Sequence, residues 1–315
     1  LPCLMGDGDM INLLVVGTIA YDSIETPFGK VADVLDGSAL YFANAASFFA
    51  DVGVVASVGQ DFDLSEIVFL KDRNVNVAGI SVDEGRTFRW EGRYGYDLNQ
   101  AITLKTELNV IEQFRPKVPD DYLDADFVFL ANIDPDLQSH VIDQTKRDAT
   151  IVLDTMNFWI ENKLPALMDV IKRVDMIVVN ESEIREITGE YSLVKGAKRL
   201  MEMGPHYIIV KRGEYGVLMA AQDELFLTPA YPLEDVFDPT GAGDTFAGGF
   251  MGYLANIGDV SPETIKQAIV MGSVMASFNV EDFGINRIKR LAYNEIRERY
   301  TAFKRCIHFS DIELR

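Results

Sequence analysis

The sequence contains few of the side chains that build disulfide frameworks or zinc sites. Its 315 residues include 2 cysteines, Cys3 and Cys306, which lie near opposite ends of the chain and have no metal-ligand spacing. Its 3 histidines, His140, His206 and His308, are scattered without the H-x-x-x-H spacing of a zinc-binding helix. These absences argue against a disulfide-stapled scaffold and favour a protein of the reducing cytoplasm.

Positive charge and long apolar runs are also scarce. The chain has 29 Lys and Arg against 49 Asp and Glu, a formal net charge of -20 at pH 7. This charge would repel the phosphates of nucleic acids and the head groups of anionic lipids. No apolar run reaches the ~18 residues that cross a bilayer, and no cationic leader precedes one. We therefore expect neither nucleic acid nor membrane as a partner, and interpret the acidity as a well-solvated surface.

The chain is long enough for one large domain. With 48% hydrophobic residues it can bury a sizeable core. Residues 1–9 (LPCLMGDGD) do not begin with Met and show no periodicity, so we interpret them as a leader or an expression remnant, with Met10 as a candidate natural start. Residues 10–315 contain no repeat, low-complexity tract or linker, which predicts a single domain.

Short apolar runs alternate with helical patterns along this domain. The helical patterns include residues 39–49 and 163–173. The apolar runs are residues 11–16, 52–58, 127–130, 151–153, 176–179 and 207–210. Continuous apolar runs are typical of strands buried on both faces. The alternation predicts an α/β fold, a doubly wound and mostly parallel sheet with helices on both faces, whose ligands bind beyond the carboxyl ends of the strands.

One region breaks this alternation. Residues 86–94 (RTFRWEGRY) and 101–108 (AITLKTEL) alternate apolar and polar positions, which predicts an antiparallel hairpin with one wet face. Residues 24–35 could add a second pair of extended segments. We interpret the segments at about 23–36 and 85–108 as a small β-sheet lid that closes over a substrate. An edge hairpin or a homodimer contact is the alternative.

The turn within residues 237–250 (FDPTGAGDTFAGGF) carries the clearest chemistry. Gly241 and Gly243 allow backbone conformations that a Cβ forbids, so that consecutive N–H groups can converge on an anion. The sequence predicts a helix over residues 244–254, whose first N–H groups and positive dipole end favour a phosphate. We expect this dipole to hold Asp244 ionised, ready to accept a proton from a substrate hydroxyl. A helix that Asp244 merely caps is the structural alternative.

Other nucleotide-binding motifs are missing. Phe246 stands where a G-x-G-x-x-G fingerprint needs its third glycine, and no G-K-[ST] of a P-loop follows. Gly17 to Asp22 (GTIAYD), after the first predicted strand, also lacks the fingerprint. The sequence therefore disfavours a dinucleotide-dependent oxidoreductase.

Residues 238–250 (DPTGAGDTFAGGF) closely resemble the C-terminal signature of the ribokinase-like, or PfkB, family of carbohydrate and nucleoside kinases. The resemblance covers roughly residues 13–284 and implies the ribokinase-like fold with its β-sheet lid. It implies Thr240 beside the nucleotide phosphates and Asp238 near a monovalent-cation site for K⁺. The residues implied to be catalytic are Asp244 as general base and Gly241, Ala242 and Gly243, whose amides form the anion hole.

The acceptor side follows the family pattern with two departures. Asp22 resembles the family's Asp that hydrogen-bonds sugar hydroxyls. Asp36, Gly37 and Ser38 stand where most members have two glycines and a small residue, and Tyr41 stands where many have an Asn that contacts the sugar. Asp36 would either accept a substrate hydroxyl or cap the helix. Tyr41 would either stack on a ring or pack in the core. These departures leave the identity of the acceptor open.

The donor side also resembles the family. Asn180 and Glu183 match its N-x-x-E motif, in which Glu183 would act through Mg²⁺ and water, and they equally fit a capping box. The turn of Asp154 to Asn157 (DTMN) loosely resembles a loop near the phosphates. Lys211 or Arg212 would meet a phosphate or lie on the surface. The residues implied to bind nucleotide are Asn180, Lys211, Gly213, Gly216, Thr240 and, beside the adenine, Asn279.

Together these patterns predict an ATP-dependent phosphotransferase that moves the γ-phosphoryl to a hydroxymethyl group of a sugar or nucleoside. ATP or ADP and Mg²⁺ are the implied cofactors, K⁺ is a candidate third, and the small-molecule acceptor is the implied partner. A catalytically silent regulator that binds a nucleotide or sugar on the same fold is the alternative, motivated by Asp36 and Tyr41.

Overall fold

The computed structural model describes residues 11–310. The expectations for residues 1–9 and Met10 lie outside this range. The strands are β1 (Leu13–Val16), β2 (Ala20–Thr26), β3 (Gly29–Asp36), β4 (Val52–Gly59), β5 (Val75–Asp83), β6 (Phe88–Tyr94), β7 (Ala101–Glu107), β8 (Phe127–Leu130), β9 (Thr150–Asp154), β10 (Met176–Asn180), β11 (Tyr207–Lys211), β12 (Val217–Ala221) and β13 (Glu224–Thr228). The α-helices are α1 (Ser38–Ala46), α2 (Val68–Lys71), α3 (Pro135–Ile142), α4 (Asn157–Ile171), α5 (Glu181–Thr188), α6 (Leu193–Met201), α7 (Ala242–Ile257), α8 (Pro262–Asn279), α9 (Asn286–Lys289) and α10 (Tyr293–Ile307).

The large sheet is mostly parallel, as the apolar runs predict. Its strand order is β13-β12-β11-β10-β9-β8-β1-β4-β5, and the pairs from β5 through to β11 are parallel. β12 and β13 extend it as an antiparallel edge. Alternate residues of β1 enter two different cores, Leu13 and Val15 with residues of α1, α7 and α8, and Leu14 and Val16 with residues of α3 to α6. The α/β class with helices on both faces is therefore confirmed.

The small sheet has the order β3-β2-β6-β7. Hairpins β2–β3 and β6–β7 are antiparallel, and β2 pairs with β6 in parallel. These strands agree with the two extended regions read from the sequence. Thr26 of β2 donates a hydrogen bond to the carbonyl of Phe237 (2.9 Å), so this sheet lies against the segment that leads into α7.

Helix boundaries differ from the sequence-based expectations in three places. α1 ends at Ala46 rather than at residue 49. α4 starts at Asn157 rather than at residue 163, and it is kinked at Lys163 (φ -138°, ψ 31°) because Pro165 cannot continue the regular hydrogen bonding. α7 starts at Ala242 and continues to Ile257 rather than spanning residues 244–254. Among the helices of residues 11–310, none is long and apolar enough to cross a membrane.

The parallel register places functional side chains at one edge of the large sheet. Asp154, Asn180 and Lys211 are the last residues of β9, β10 and β11, and Asn180 pairs directly with Lys211. The carboxyl ends of parallel neighbours point the same way, which is where doubly wound folds bind their ligands. The first turn of α7 meets the same edge, because a Cβ on Gly243 would lie 3.0 Å from Nζ of Lys211.

Candidate active site

The glycine turn opens the amino end of α7. Gly241, its N-cap, has a left-handed conformation (φ 71°), and a Cβ there would lie 2.3 Å from the ring of Tyr41. The amide of Ala242 donates to the carbonyl of Pro239 (3.1 Å), so this N–H already has a partner inside the turn. The amide of Gly243 lies in the first turn of α7, where N–H groups have no partner within the helix. The turn thus presents backbone donors to an anion.

Two buried side chains fix this turn. Asp238 accepts hydrogen bonds from the amides of Thr240 (2.9 Å) and Gly284 (3.0 Å). Asn279, at the end of α8, donates to the carbonyl of Thr240 (2.6 Å) and accepts from the hydroxyl of Thr245 (3.2 Å). Asn279 therefore contacts the glycine turn on both sides, and its place beside the adenine stays a prediction. The Thr240 hydroxyl also donates to the Tyr94 hydroxyl of the small sheet (3.3 Å).

Asp244 lies in the first turn of α7, directly after Gly243 in the chain. Burial, and next the negative charge of Asp154, raise the pKa of Asp244 to about 7, while Lys211 opposes the rise. Burial thus works against the expected effect of the helix dipole, and the ionised state of Asp244 stays a prediction. A pKa near neutrality is what proton transfer from an alcohol during group transfer requires.

Lys211 is enclosed at the edge of the sheet and is not a surface charge. Its side chain is 20% exposed, and its Nζ lies 3.2 Å from Oδ1 of Asp154. Burial would lower the pKa of Lys211, but the charges of Asp154 and Glu183, followed by that of Asp244, hold it above its usual value. The ammonium group therefore stays protonated directly beside Gly243.

Asn180 and Glu183 form the predicted capping box. The Asn180 side chain accepts from the amide of Glu183 (2.9 Å), and the Glu183 carboxylate accepts from the amide of Asn180 (2.7 Å). Burial is the main cause that raises the pKa of Glu183 to about 8. Within residues 11–310, no group of three or more His, Cys, Asp or Glu could hold a metal ion. A metal here would need further oxygen ligands from substrate or water.

The acceptor-side residues form a second buried cluster. Asp36 accepts hydrogen bonds from the amide of Gly37 (2.7 Å) and the hydroxyl of Tyr41 (2.6 Å). Tyr41 is fully buried, so of the two alternatives the structure supports packing in the core. Gly37 rather than Asp36 is the N-cap of α1, so Asp36 does not cap the helix, and Ser38 accepts from the amide of Thr18 (3.1 Å). The carboxyl of Asp22 lies within hydrogen-bonding reach of the carboxyl of Asp36.

Burial, and next the charge of Asp36, raise the pKa of Asp22 well above its usual value. Burial likewise raises the pKa of Asp36 to about 7, against the hydrogen bonds from Tyr41 and Gly37. The charge of Asp36 also helps to raise the pKa of Asp244. The acceptor-side cluster and the candidate base therefore lie close enough to share one electrostatic environment.

A cavity of about 520 Å³ lies on the other side of the turn. The nucleotide-site candidates Lys211, Gly213 and Gly216 line it, together with Ala242 and Gly243. Other residues of the cavity wall lie in irregular segments, whose sequences carry no periodic signal that would place them in a binding site. They include Tyr96, Asn99, Tyr231, Leu233 and Val236. Arg212 also lines the cavity, and its Nε lies 2.6 Å from Glu181.

Comparison with known proteins identifies the class. The profile of the pfkB family carbohydrate kinases matches residues 41–289. A cytidine kinase of Thermococcus kodakarensis is 29% identical over 249 residues, covering 77% of this chain and 88% of that protein. An inositol 3-kinase of Arabidopsis thaliana is 22% identical over 307 residues, covering 95% of this chain and 82% of that protein.

A solved structure shares the fold. The nucleoside kinase of Burkholderia thailandensis in complex with ADP-inosine superposes with a TM-score of 0.75 at 18% identity, covering 92% of this chain and 95% of that one. The fold is that of the ribokinase-like kinases. The chain belongs to the pfkB family of carbohydrate kinases.

Proposed function

We propose that this protein transfers the γ-phosphoryl group of ATP to a hydroxymethyl group of a sugar or nucleoside, with Asp244 as general base. The observation that carries the proposal is the position of Asp244. It is a carboxyl with a pKa of about 7, beside the amide of Gly243 and the ammonium group of Lys211. A phosphoryl transfer needs a base, an amide donor and a cation close together, because positioning and charge stabilisation do most of the catalysis.

The donor nucleotide would occupy the cavity of about 520 Å³. Its triphosphate would reach the turn between Gly213 and Gly243, both of which line the cavity. Lys211 would then offset the charge that develops on the transferred phosphoryl. The nucleoside kinase complexed with ADP-inosine supports this placement, since it shares the fold.

Mg²⁺ would accompany the phosphates and neutralise part of their charge. Glu183 would hold it through water, as both of its carboxylate oxygens already accept hydrogen bonds from Asn180. Asp238 is the candidate ligand for K⁺, although each of its oxygens accepts a backbone N–H.

The acceptor would bind beside Asp22, under the small sheet. Its hydroxymethyl oxygen would lie between Asp244 and the γ-phosphoryl, so that Asp244 takes the proton as the new O–P bond forms and the bond to ADP breaks. The small sheet would exclude water, since Tyr94 and Thr26 already join it to the turn region.

The test is ATP-dependent formation of ADP with Mg²⁺ across pentoses, hexoses, cyclitols, sugar acids and nucleosides. We expect turnover with at least one acceptor, and a loss of about 10²–10⁴-fold in Asp244→Asn with ADP affinity retained. Asp235→Asn, the same change at an exposed position outside the cavity lining, should leave turnover unchanged.

Near-normal turnover in Asp244→Asn would refute the assignment of the base. Tight ADP binding without turnover of any acceptor would indicate the silent regulator instead.

A further inference from the structure

The acceptor-side cluster is built from acidic side chains. Asp22, Asp36 and Asp238 are 6%, 4% and 0% exposed, and Tyr41 is fully buried among them. The charges of Asp36 and Asp238 both act on Asp22. Oδ1 of Asp22 is buried and accepts no hydrogen bond from a donor group of the described residues, and the neighbouring side chain is the carboxyl of Asp36. A buried carboxylate oxygen without a donor is costly, so this atom indicates a ligand that supplies one.

Positive charge is directed away from this cluster. Within residues 11–310, no Lys, Arg or His nitrogen lies within 4.0 Å of the carboxyl oxygens of Asp22, Asp36 or Asp238. Arg89 pairs with Tyr21 in the β2–β6 register, whereas Asp22 pairs with Trp90, so Arg89 lies on the opposite face of the small sheet. There Arg89 forms ion pairs with Asp33 and Asp61.

Lys211, on the donor side of the turn, is held by Asp154. Neither Arg89 nor Lys211 is therefore available to balance a negative charge on the acceptor.

We propose that the acceptor site selects a neutral, hydroxyl-rich acceptor and rejects anionic ones such as sugar acids and sugar phosphates, with Asp36 as the residue that determines this selectivity. The inference deepens the proposed function and rests on it. A substrate hydroxyl supplies the donor that Asp22 lacks. An acceptor carboxylate or phosphate would instead lie among three buried acidic groups without a cation to balance it, so it would either be repelled by them or force them to stay protonated.

The same contacts argue against a cationic acceptor. Both oxygens of Asp36 already accept a donor, from Gly37 and from Tyr41, so its charge is partly satisfied without an ammonium group. Burial also raises the pKa of Asp36 to about 7, which leaves the cluster incompletely ionised near neutrality. Hydroxyl groups can pair with either form of a carboxyl, whereas an ammonium group needs the ionised one.

The experiment compares acceptors matched in shape but not in charge. The probes are a neutral polyol, its sugar acid, a sugar phosphate with a free hydroxymethyl group and an amino sugar. We expect kcat/KM for the neutral member to exceed that for its anionic partners by at least about 100-fold. In Asp36→Asn, which keeps the shape and removes the charge, this ratio should fall at least about tenfold, with ADP affinity unchanged. Asp33→Asn, the same change on the outer face, should keep the ratio.

Equal or better use of the acid, the phosphate or the amino sugar would overturn the inference while leaving the kinase function intact. An unchanged ratio in Asp36→Asn would also overturn it. Acceptor binding is measured separately, by thermal shift with a non-hydrolysable ATP analogue. A lack of turnover, which counts against the proposed function, is thereby distinguished from a lack of charge selectivity in binding, which counts against this inference. Binding of no acceptor class would refute the inference as well.

Discussion

Lys211 lies among three carboxyls whose protonation depends on its positive charge. It lowers the pKa of Asp154, Glu183 and Asp244, each of which burial raises. Removing one partner of a buried charge pair leaves the other uncompensated, and the remaining group then changes its pKa. The proton affinity of the proposed base is therefore lowered by a residue that does not take the proton itself.

The pH dependence of activity tests this arrangement. Asp244 must be ionised to accept a proton, so kcat/KM should rise with pH through about 7 in the wild-type protein. Lys211→Met removes a charge that favours the ionised form, so the midpoint should move to higher pH by about one unit or more. Arg212→Met removes the neighbouring cation, which pairs with Glu181, and should leave the midpoint in place. An unshifted midpoint in Lys211→Met would contradict the coupling.

Sequence reasoning reached some of these residues and not others, for physical reasons. The signature around Asp244 is contiguous, so its motif places it directly at the start of a helix. Lys211 follows an apolar strand, and that pattern alone does not reveal whether its end is enclosed. Asp36 and Tyr41 depart from the family pattern five residues apart, and their hydrogen bond shows that the two departures belong together.

At the scale of elements, the end of α8 determines the shape of the phosphate turn. Asn279 is 1% exposed and joins Thr240, before the turn, to Thr245, in the first turns of α7. Its side-chain amide thus spans the glycines whose amides are proposed to bind the transferred phosphoryl. We infer that the positions of these amides depend on the packing of α8 against α7.

Asn279→Ala tests this dependence. The change removes both bonds and leaves the buried Thr240 carbonyl and Thr245 hydroxyl without this partner, at a cost of about 1–3 kcal/mol in unfolding free energy. We expect kcat to fall about tenfold to 100-fold, because displaced amides stabilise the transferred phosphoryl less well. Asn286→Ala, which removes an exposed amide bonded to the Phe283 carbonyl, is the matched control. A stability loss without a loss of kcat would show that Asn279 is only structural.

The strands that the sequence predicts most directly are those buried on both faces. β1, β4, β8, β9, β10 and β11 are continuous apolar runs, since both faces of the sheet are covered. β5 was missed because its burial is partial along most of its length. The β12–β13 edge was missed because β13 is a single short strand that alternates less exposed and more exposed positions. Its pairing with β12 depends on tertiary packing.

At the scale of the whole molecule, the site gathers acidic groups on a protein that is already acidic. The formal net charge is -20 at pH 7. The carboxyls whose pKa is raised by the loss of solvation are Asp22, Asp36, Asp154, Glu183, Asp238 and Asp244. Such groups bind protons more tightly in the folded state than in the unfolded chain, where their pKa is near 4.

This difference fixes the sign of the pH dependence of stability. A carboxyl whose pKa is raised on folding contributes stability that is present below its unfolded pKa and is lost as pH rises through its folded pKa. For Asp36 and Asp244 that folded value is about 7, and for Glu183 it is about 8. The free energy of unfolding of the ligand-free protein should therefore fall between about pH 4 and pH 8.

Chemical denaturation at several pH values, with and without about 0.5 M NaCl, measures this fall and separates its causes. Salt screens repulsion between exposed charges, so the part of the decrease that persists in salt belongs to the buried carboxyls. Asp36→Asn removes one of these groups and should make the persisting decrease shallower, while Asp33→Asn, at an exposed position, should not. A free energy of unfolding that stays level or rises over this pH range in salt would show that the acidic site does not hold protons as its burial indicates.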